Sequence, residues 1–432
     1  MSWKRTLYIT FTAQLLSAMG FSMIFPFLPF YIQELGSSSG FGSLEFWVAM
    51  VFSAQALTMM IASPIWGALA DRYGRKIMVE RAMFGGAILI FMMAFARSAE
   101  ELTLLRAIQG LVTGVGASGS ALVAAVTPRK QTGYAMGVLQ VGLWSGVAVG
   151  PVLGGLITDF VSVEAAFMVT AVLCLLGGLL VAFGIKEEFR QPENPGRLNL
   201  LGNWKRVFSA PGVAPVFLIR FMAWLGRNVL TPFAPLFIAT LMTNQALVGT
   251  MTGLMIGLAS AAGTASALYL GRLGDRVGHK WVLTVSSVVA AVFYLPQSFV
   301  TAAWQLLVLQ ALTGAAIGGI MPSLSALLSH FTQRGEEGAV YGLDNAIVAG
   351  ARAAAPSLGA VVVAATMALA PALGLEADLW RYRGIFLVTS VLFLVTAVLA
   401  GRRLPGRGRS APEDRSQEGR AAEDRAARSP GD

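Results

Sequence analysis

The chain has 432 residues, of which 55% are hydrophobic and only 13% charged, with a mean hydropathy of +0.66 and a net charge of +9. Soluble domains carry about a quarter charged residues, so this composition excludes an ordinary soluble multidomain protein. The positive charge does not indicate nucleic-acid binding, because the basic residues sit in short connections between long apolar runs instead of gathering on one polar face.

Taken in chain order, twelve apolar stretches are expected to be transmembrane helices. They are residues 6–33, 45–70, 77–97, 100–127, 131–158 and 163–185, then 213–241, 247–270, 280–300, 303–330, 337–370 and 380–402. Each is long enough to cross an apolar layer of about 30 Å at about 1.5 Å per residue. Helices are required because an open sheet leaves backbone groups unsatisfied in lipid. The first run is too long for the apolar part of a signal peptide and has no small-residue cleavage site, so it is read as a span. The expected organisation is an N-terminal six-helix bundle (1–185), a cytoplasmic linker (186–212), a second six-helix bundle (213–404) and a tail (405–432). The linker's stretch from Leu198 to Phe208 fits either an amphipathic helix on the membrane surface or a flexible connection. The tail has almost no apolar residues and is expected to be disordered.

Charge sets the expected orientation. Lys4, Arg5, Arg72, Arg75, Lys76, Arg129, Lys130, Arg272, Arg276, Lys280, Arg334, Arg402 and Arg403 all fall on one set of connections, with the linker. The connections near 34–44, 98–101, 159–164, 242–246 and 299–303 carry no Lys or Arg, with Arg381 and Arg383 as exceptions. By the positive-inside rule the basic side is cytoplasmic and holds both termini.

The chain also repeats itself. Residues 67–76 read GALADRYGRK and residues 271–280 read GRLGDRVGHK, an offset of 204. The same offset carries Ala107, Gly110 and Gly114 onto Ala311, Gly314 and Gly318, and Gly146 onto Gly350. One offset across several helices implies a duplicated six-helix unit. An even number of spans leaves both copies in the same orientation, with a site expected at midplane between them.

GALADRYGRK resembles the loop between helices two and three of the major facilitator superfamily, and its weaker copy lies where that family repeats it. Gly67 and Gly74 are expected to permit a tight turn. Asp71, Arg72, Arg75 and Lys76, with Asp275, Arg276 and Lys280 of the copy, are expected to act as a conformational latch that also meets lipid phosphates. The run Leu105 to Gly110 resembles the family's fourth-helix motif and places Arg106 and Gln109 inside the membrane. Residues 142–155, GLWSGVAVGPVLGG, resemble the fifth-helix motif of its antiporters. Gly142, Gly146, Gly150 and Gly154 line one helix face, Gly155 extends it, and Pro151 invites a bend. A second ridge, Gly249, Gly253, Gly257 and Ala261, is expected to meet that face from helix eight. PFLPFYIQELG and ASPIWGALADRYGRK bring the first half close to the twelve-helix drug:proton antiporters of the bacterial inner membrane.

Coupling to protons needs an acid inside the membrane. Asp344 in helix eleven is the first candidate and Glu34 at the end of helix one the second, while Glu80 is expected to pair with the basic loop beside it and Asp159 reads as an interfacial acid at the outer end of helix five. Asp344 can alternatively form a static pair with an arginine such as Arg81. The intramembrane cations Arg106, Arg220, Arg227 and Arg352 are candidate cavity residues, with Gln109, Phe25 and Trp224 and further aromatics at Phe30, Trp144 and Phe233. If unpaired, these cations favour anionic or zwitterionic substrates; if paired with Asp344 and Glu34, they leave a neutral cavity. The expected function is proton-coupled efflux of drugs or other small amphipathic molecules by a monomer. Uniport, export of one metabolite, sugar or lysolipid, and a non-transporting receptor or scaffold are the alternatives. Small-molecule substrate, protons and lipids are the expected partners, without nucleic acid. The lone Cys174 and the helix-end residues His279 and His330 make no metal site, and no cofactor or enzymatic motif is present in the sequence.

Overall fold

The computed structural model describes residues 3–128, 131–187, 213–331 and 337–404. The expected tail, nearly all of the expected linker, and Arg129, Lys130 and Arg334 lie outside these residues. The first half of the chain contains α1 (Trp3–Met23), α2 (Leu28–Leu35), α3 (Leu44–Tyr73), α4 (Arg75–Met93), α5 (Ala99–Val112), α6 (Val115–Val126), α7 (Thr132–Phe160) and α8 (Val163–Gly184). The second half contains α9 (Val213–Val229), α10 (Ala234–Leu241), α11 (Val248–Val277), α12 (His279–Gln297), α13 (Ala303–Ile317), α14 (Ile320–Phe331), α15 (Glu337–Leu369), α16 (Ala377–Trp380) and α17 (Arg383–Arg403). Among the described residues there is no strand.

Nine spans among the described residues are long and apolar enough to cross a bilayer, or ten when α1 and α2, bent by 48° at their junction, count as one. The expected twelve include two more stretches, α4 and the α5–α6 pair, which fall short of that length and apolarity. In α4 the charges of Arg75, Lys76, Glu80 and Arg81 lower the apolar character. The α5–α6 pair is interrupted at Thr113–Gly114, where Gly114 adopts φ +135°. The chain is coated by its apolar residues, as lipid demands. Val172, Leu175, Leu176, Leu179 and Phe183 on α8 are exposed, as are Val391, Leu394, Val395 and Val398 on α17. Inside lie Gln14, Arg106, Gln109, Gln297, Gln310 and Asp344.

The breaks follow the duplication. The α1–α2 junction contains Pro26 and α2 opens with Pro29; the α9–α10 junction contains Pro232 and α10 opens with Pro235. Proline removes a backbone donor and clashes with the preceding turn, so both first helices of the repeat break at the same place. The fourth helices break at Gly114 and at Gly318–Gly319.

The two halves meet where α7 packs on α11 and α3 packs on α15. The turn between α3 and α4 marks the basic end of the molecule; the turns after α2, α4, α7 and α12 mark the opposite, acidic end. Ser43, Ser98 and Ser162 cap α3, α5 and α8 at the acidic end, accepting from the amides of Phe46, Glu101 and Ala165. Arg97 also stands at this end, so the exceptions to the charge pattern include it beside Arg381 and Arg383.

Candidate functional site

The acidic end is tied shut between the halves. Glu45 at the start of α3 is 6% exposed at its side chain and accepts on one oxygen from Arg381 Nε at 2.9 Å, Arg381 Nη2 at 2.7 Å and the Tyr382 hydroxyl at 3.2 Å. Asp159 at the end of α7 accepts from the backbone amides of Gly249 at 3.1 Å and Thr250 at 2.5 Å. Those amides open α11, so the carboxylate meets the positive end of that helix from the other half of the chain. Deeper in, the hydroxyls of Ser53 on α3 and Ser357 on α15 lie 3.3 Å apart. The role of Glu45 was not anticipated from sequence, and Asp159 was placed only as an interfacial acid. The signal for the latter was an acid ending helix five opposite a chain segment that begins helix eight without an acidic first turn.

The glycine face of α7 does not do what its pattern predicts. Gly142, Gly146, Gly150 and Gly154 abut α1, not α11. A Cβ on Gly154 would overlap the Met23 carbonyl oxygen, and one on Gly146 would crowd the Leu15 carbonyl and Ala18. The Ser22 hydroxyl donates to the Gly146 carbonyl oxygen at 3.1 Å, a bond that this close approach allows. The α11 ridge meets the adjacent face of α7. Gly249 lies against Gly155, Gly253 against Pro151 and Val152, and Gly257 against Ala148. A helix turns about 100° per residue, so residues 148, 151, 152 and 155 form a stripe beside the glycine ridge rather than on it.

The duplicated loop motif is also more local than expected. Gly74 and its copy Gly278 carry the tight turn alone, at φ +102° and +104°. Gly67 is helical within α3, and a Cβ there would meet nothing within 4 Å. Lys76 donates to the Ala182 carbonyl in the last turn of α8 at 2.8 Å and lies 3.4 Å from Glu80. Lys280 donates to the Leu404 carbonyl just beyond α17 at 2.6 Å. Each lysine therefore ties its turn to the last helix of its own half. Glu187, expected only as part of the linker, accepts from the amides of Arg75 at 3.0 Å and Lys76 at 2.8 Å and so caps α4. Arg75 Nη1 donates to the Ala121 carbonyl at 3.3 Å. Asp275 lies 3.2 Å from His279 Nε2, and Arg276 is exposed. The Asp71 side chain lies outside the described residues.

The intramembrane charges separate into three groups. Asp344 on α15 pairs with Arg220 Nε on α9 at 2.5 Å, with side chains 6% and 12% exposed, and Arg220 Nη1 lies 3.3 Å from the Ser325 hydroxyl. Arg81 takes no part in that pair; it stacks on Trp66 at 3.4 Å from the ring centroid. Arg106 is 2% exposed, and its Nη1 donates to the side-chain oxygens of Gln55 and Gln109, both at 3.0 Å. Phe52 lies 5.9 Å from that guanidinium and stacks on Phe25, in the α1–α2 break, at 6.0 Å. Arg227 sits 5.4 Å from the Trp144 ring of α7 and 5.8 Å from Trp224. Arg352 on α15 is exposed. Glu34 is exposed at the end of α2, which leaves Asp344 as the buried member of the two candidate acids.

A coat of apolar side chains, a polar interior split between two repeated helical halves, and ties at one end of the seam define a membrane transporter. Comparison with known proteins sharpens this. The sequence profile of the Major Facilitator Superfamily matches residues 10–237 and 216–430. Multidrug resistance protein MdtG of Enterobacter lignolyticus is 32% identical over 95% of this chain and 94% of its own, and that of Salmonella arizonae is 31% identical over 94% and 97%. Among solved structures, a bacterial homologue of the human lysosomal transporter Spinster, inward-facing and unoccupied, superposes with a TM-score of 0.76 at 14% identity, covering 93% of this chain and 97% of that one. The nucleoside transporter NupG gives 0.73 at 14% identity, covering 92% and 98%. The chain belongs to the Major Facilitator Superfamily and is a multi-pass membrane transporter of small molecules, not an enzyme.

Proposed function

We propose that this chain is a proton-driven exporter of drugs and other small amphipathic molecules, working as a monomer in a bacterial inner membrane with both termini in the cytoplasm. The similarity to multidrug resistance proteins supports the substrate class, and the basic end supports the orientation. The observation that carries the coupling is the buried Asp344–Arg220 pair, which joins α15 to α9. A proton on Asp344 removes its charge and leaves Arg220 as an unneutralised cation. Breaking such a pair costs about 3–5 kcal/mol, enough to bias one arrangement of the helices over another. The ties of Glu45 and Asp159 close the acidic end, and their release with closure of the basic end completes the alternating cycle.

Asp344→Asn keeps the shape and removes the titrating group. It is expected to abolish efflux driven by a proton gradient while leaving insertion and folding intact, with gradient-free substrate exchange across vesicles retained. Normal proton-driven accumulation in this variant would remove Asp344 from the coupling role.

A further inference from the structure

The duplication recurs at the acidic end as a pair of crevices on the apolar outer face. The first, of about 310 Å³, is lined by Phe91, Met92, Phe95, Arg97 and Glu101, where α4 passes into α5. The second, also of about 310 Å³, lies where α12 passes into α13 and includes Pro296, Phe299, Trp304 and Gln305. The offset of 204 carries Met92, Phe95 and Glu101 onto Pro296, Phe299 and Gln305. A backbone contact is shared as well: the Arg97 amide donates to Glu101 Oε2 at 3.0 Å, and the Thr301 amide to Gln305 Oε1 at 2.9 Å. The two crevices share their build and differ in charge, because Thr301 and Gln305 stand where the first half has Arg97 and Glu101.

The first crevice has the character of a lipid seat. Phe91, Met92 and Phe95 are exposed, and the two phenyl rings meet edge to face at 5.2 Å. Ile88, also exposed and one turn deeper, continues the same stripe of α4 toward the middle of the span. At the mouth of this apolar track stand two opposite charges. Arg97 is exposed, and among the described residues its guanidinium has no hydrogen bond or ion pair. It is a cation at the end of the molecule where basic residues are scarce. Glu101 gives one carboxylate oxygen to the Arg97 amide and keeps the other open. The neighbouring Glu100 is held by Ser37, Ser38 and Ser39 of the α2–α3 connection at 2.6–3.1 Å, so it does not compete for Arg97.

We propose that this crevice is a phospholipid site that prefers phosphatidylethanolamine. Arg97 receives the phosphate, Glu101 receives the primary ammonium group two carbons away, and an acyl chain lies along Phe95, Phe91 and Ile88. A guanidinium binds phosphate oxygens by paired hydrogen bonds, and a carboxylate accepts N–H bonds from an ammonium. A choline headgroup has no N–H to donate and a glycerol headgroup has no cation, so each loses one of the two contacts. The copy in the second half has an apolar crevice of the same size and, at Thr301 and Gln305, no charge with which to sort headgroups. The site lies outside the seam between the halves, so it does not depend on what the chain transports.

A phosphatidylethanolamine carrying a photoreactive diazirine on one acyl chain is added to the purified full chain in detergent. After irradiation, cross-linked peptides from 88–101 and from 296–309 are quantified by mass spectrometry. Unlabelled phosphatidylethanolamine, phosphatidylcholine and phosphatidylglycerol of matched chains are the competitors. At 88–101, phosphatidylethanolamine is expected to displace the probe about fivefold better than either of the others. At 296–309 the three are expected to compete equally. Arg97→Gln and Glu101→Gln are each expected to abolish the preference at 88–101 and to leave 296–309 as it was. Glutamine at 101 keeps the acceptor that Gln305 provides in the copy, so the backbone contact survives. No labelling at 88–101, equal competition by the three lipids there, a stronger effect of phosphatidylglycerol, or the full preference in either glutamine variant overturns the proposal. The same preference at both peptides also overturns it, since the second crevice lacks the two charges. The comparison of lipids in the unaltered chain decides the matter even where a variant does not fold.

Discussion

Glu45→Gln is the sharpest probe of the closed acidic end. The substitution keeps the side chain's size and its acceptor oxygen but removes the charge that three donors share at 2.7–3.2 Å. Glu45 is 6% exposed and Arg381 36% exposed, so the tie is neither a screened surface pair, worth under about 1 kcal/mol, nor a fully buried one, worth about 3–5 kcal/mol when broken. A loss of about 2 kcal/mol is the intermediate expectation, and it shifts the ratio of open to closed acidic ends roughly thirtyfold. Because Asp159 still holds the start of α11, the fold survives. The assay uses Ser53→Cys, placed at the Ser53–Ser357 contact between the halves. The sole native cysteine, Cys174, is buried, so it leaves the background low. A membrane-impermeant maleimide added on the acidic side is expected to label the cysteine many times faster when Glu45→Gln is present. Equal labelling rates with and without Glu45→Gln would refute the view that this cluster holds the halves together.

Two packing and capping predictions follow from the glycines and from Glu187. Gly154→Ala forces a methyl onto the Met23 carbonyl and is expected to destabilise the chain by about 1–3 kcal/mol, seen as a lower melting midpoint of the purified protein. Gly67→Ala, with open space around it, is expected to hold or raise that midpoint because alanine favours the helix by about 1 kcal/mol; the opposite order for the two would contradict the packing described for α7. Glu187→Ala removes both acceptors from the first turn of α4 and is expected to cost about 1 kcal/mol in stability, read by chemical denaturation, with efflux near normal. A wholly inactive Glu187→Ala would make that cap part of the transport cycle rather than of the fold.

Sequence by itself determined the features that depend on residue type along one segment. Apolar runs of span length forced membrane helices, because lipid offers the backbone no other partner. The two copies of the loop motif pointed to the duplication, and of the motif's glycines expected to turn the chain, Gly74 and its copy Gly278 adopt positive φ while Gly67 does not. The matched prolines at 26 and 232, and at 29 and 235, were equally available and mark the broken first helices.

Only the tertiary structure decided which surfaces meet. A glycine ridge is smooth but has no address: Gly146 and Gly154 accept α1, and the stripe one step around the helix accepts α11. A charge in a span is costly wherever it lies, yet its composition is the same whether it is neutralised or free. Arg220 found Asp344, Arg106 found glutamines, and Arg227 found two tryptophans, one of them on the other half of the chain. These outcomes turn on distances of a few ångströms between residues far apart in the chain. Hydropathy and motif spacing are local quantities, so they carry no record of them.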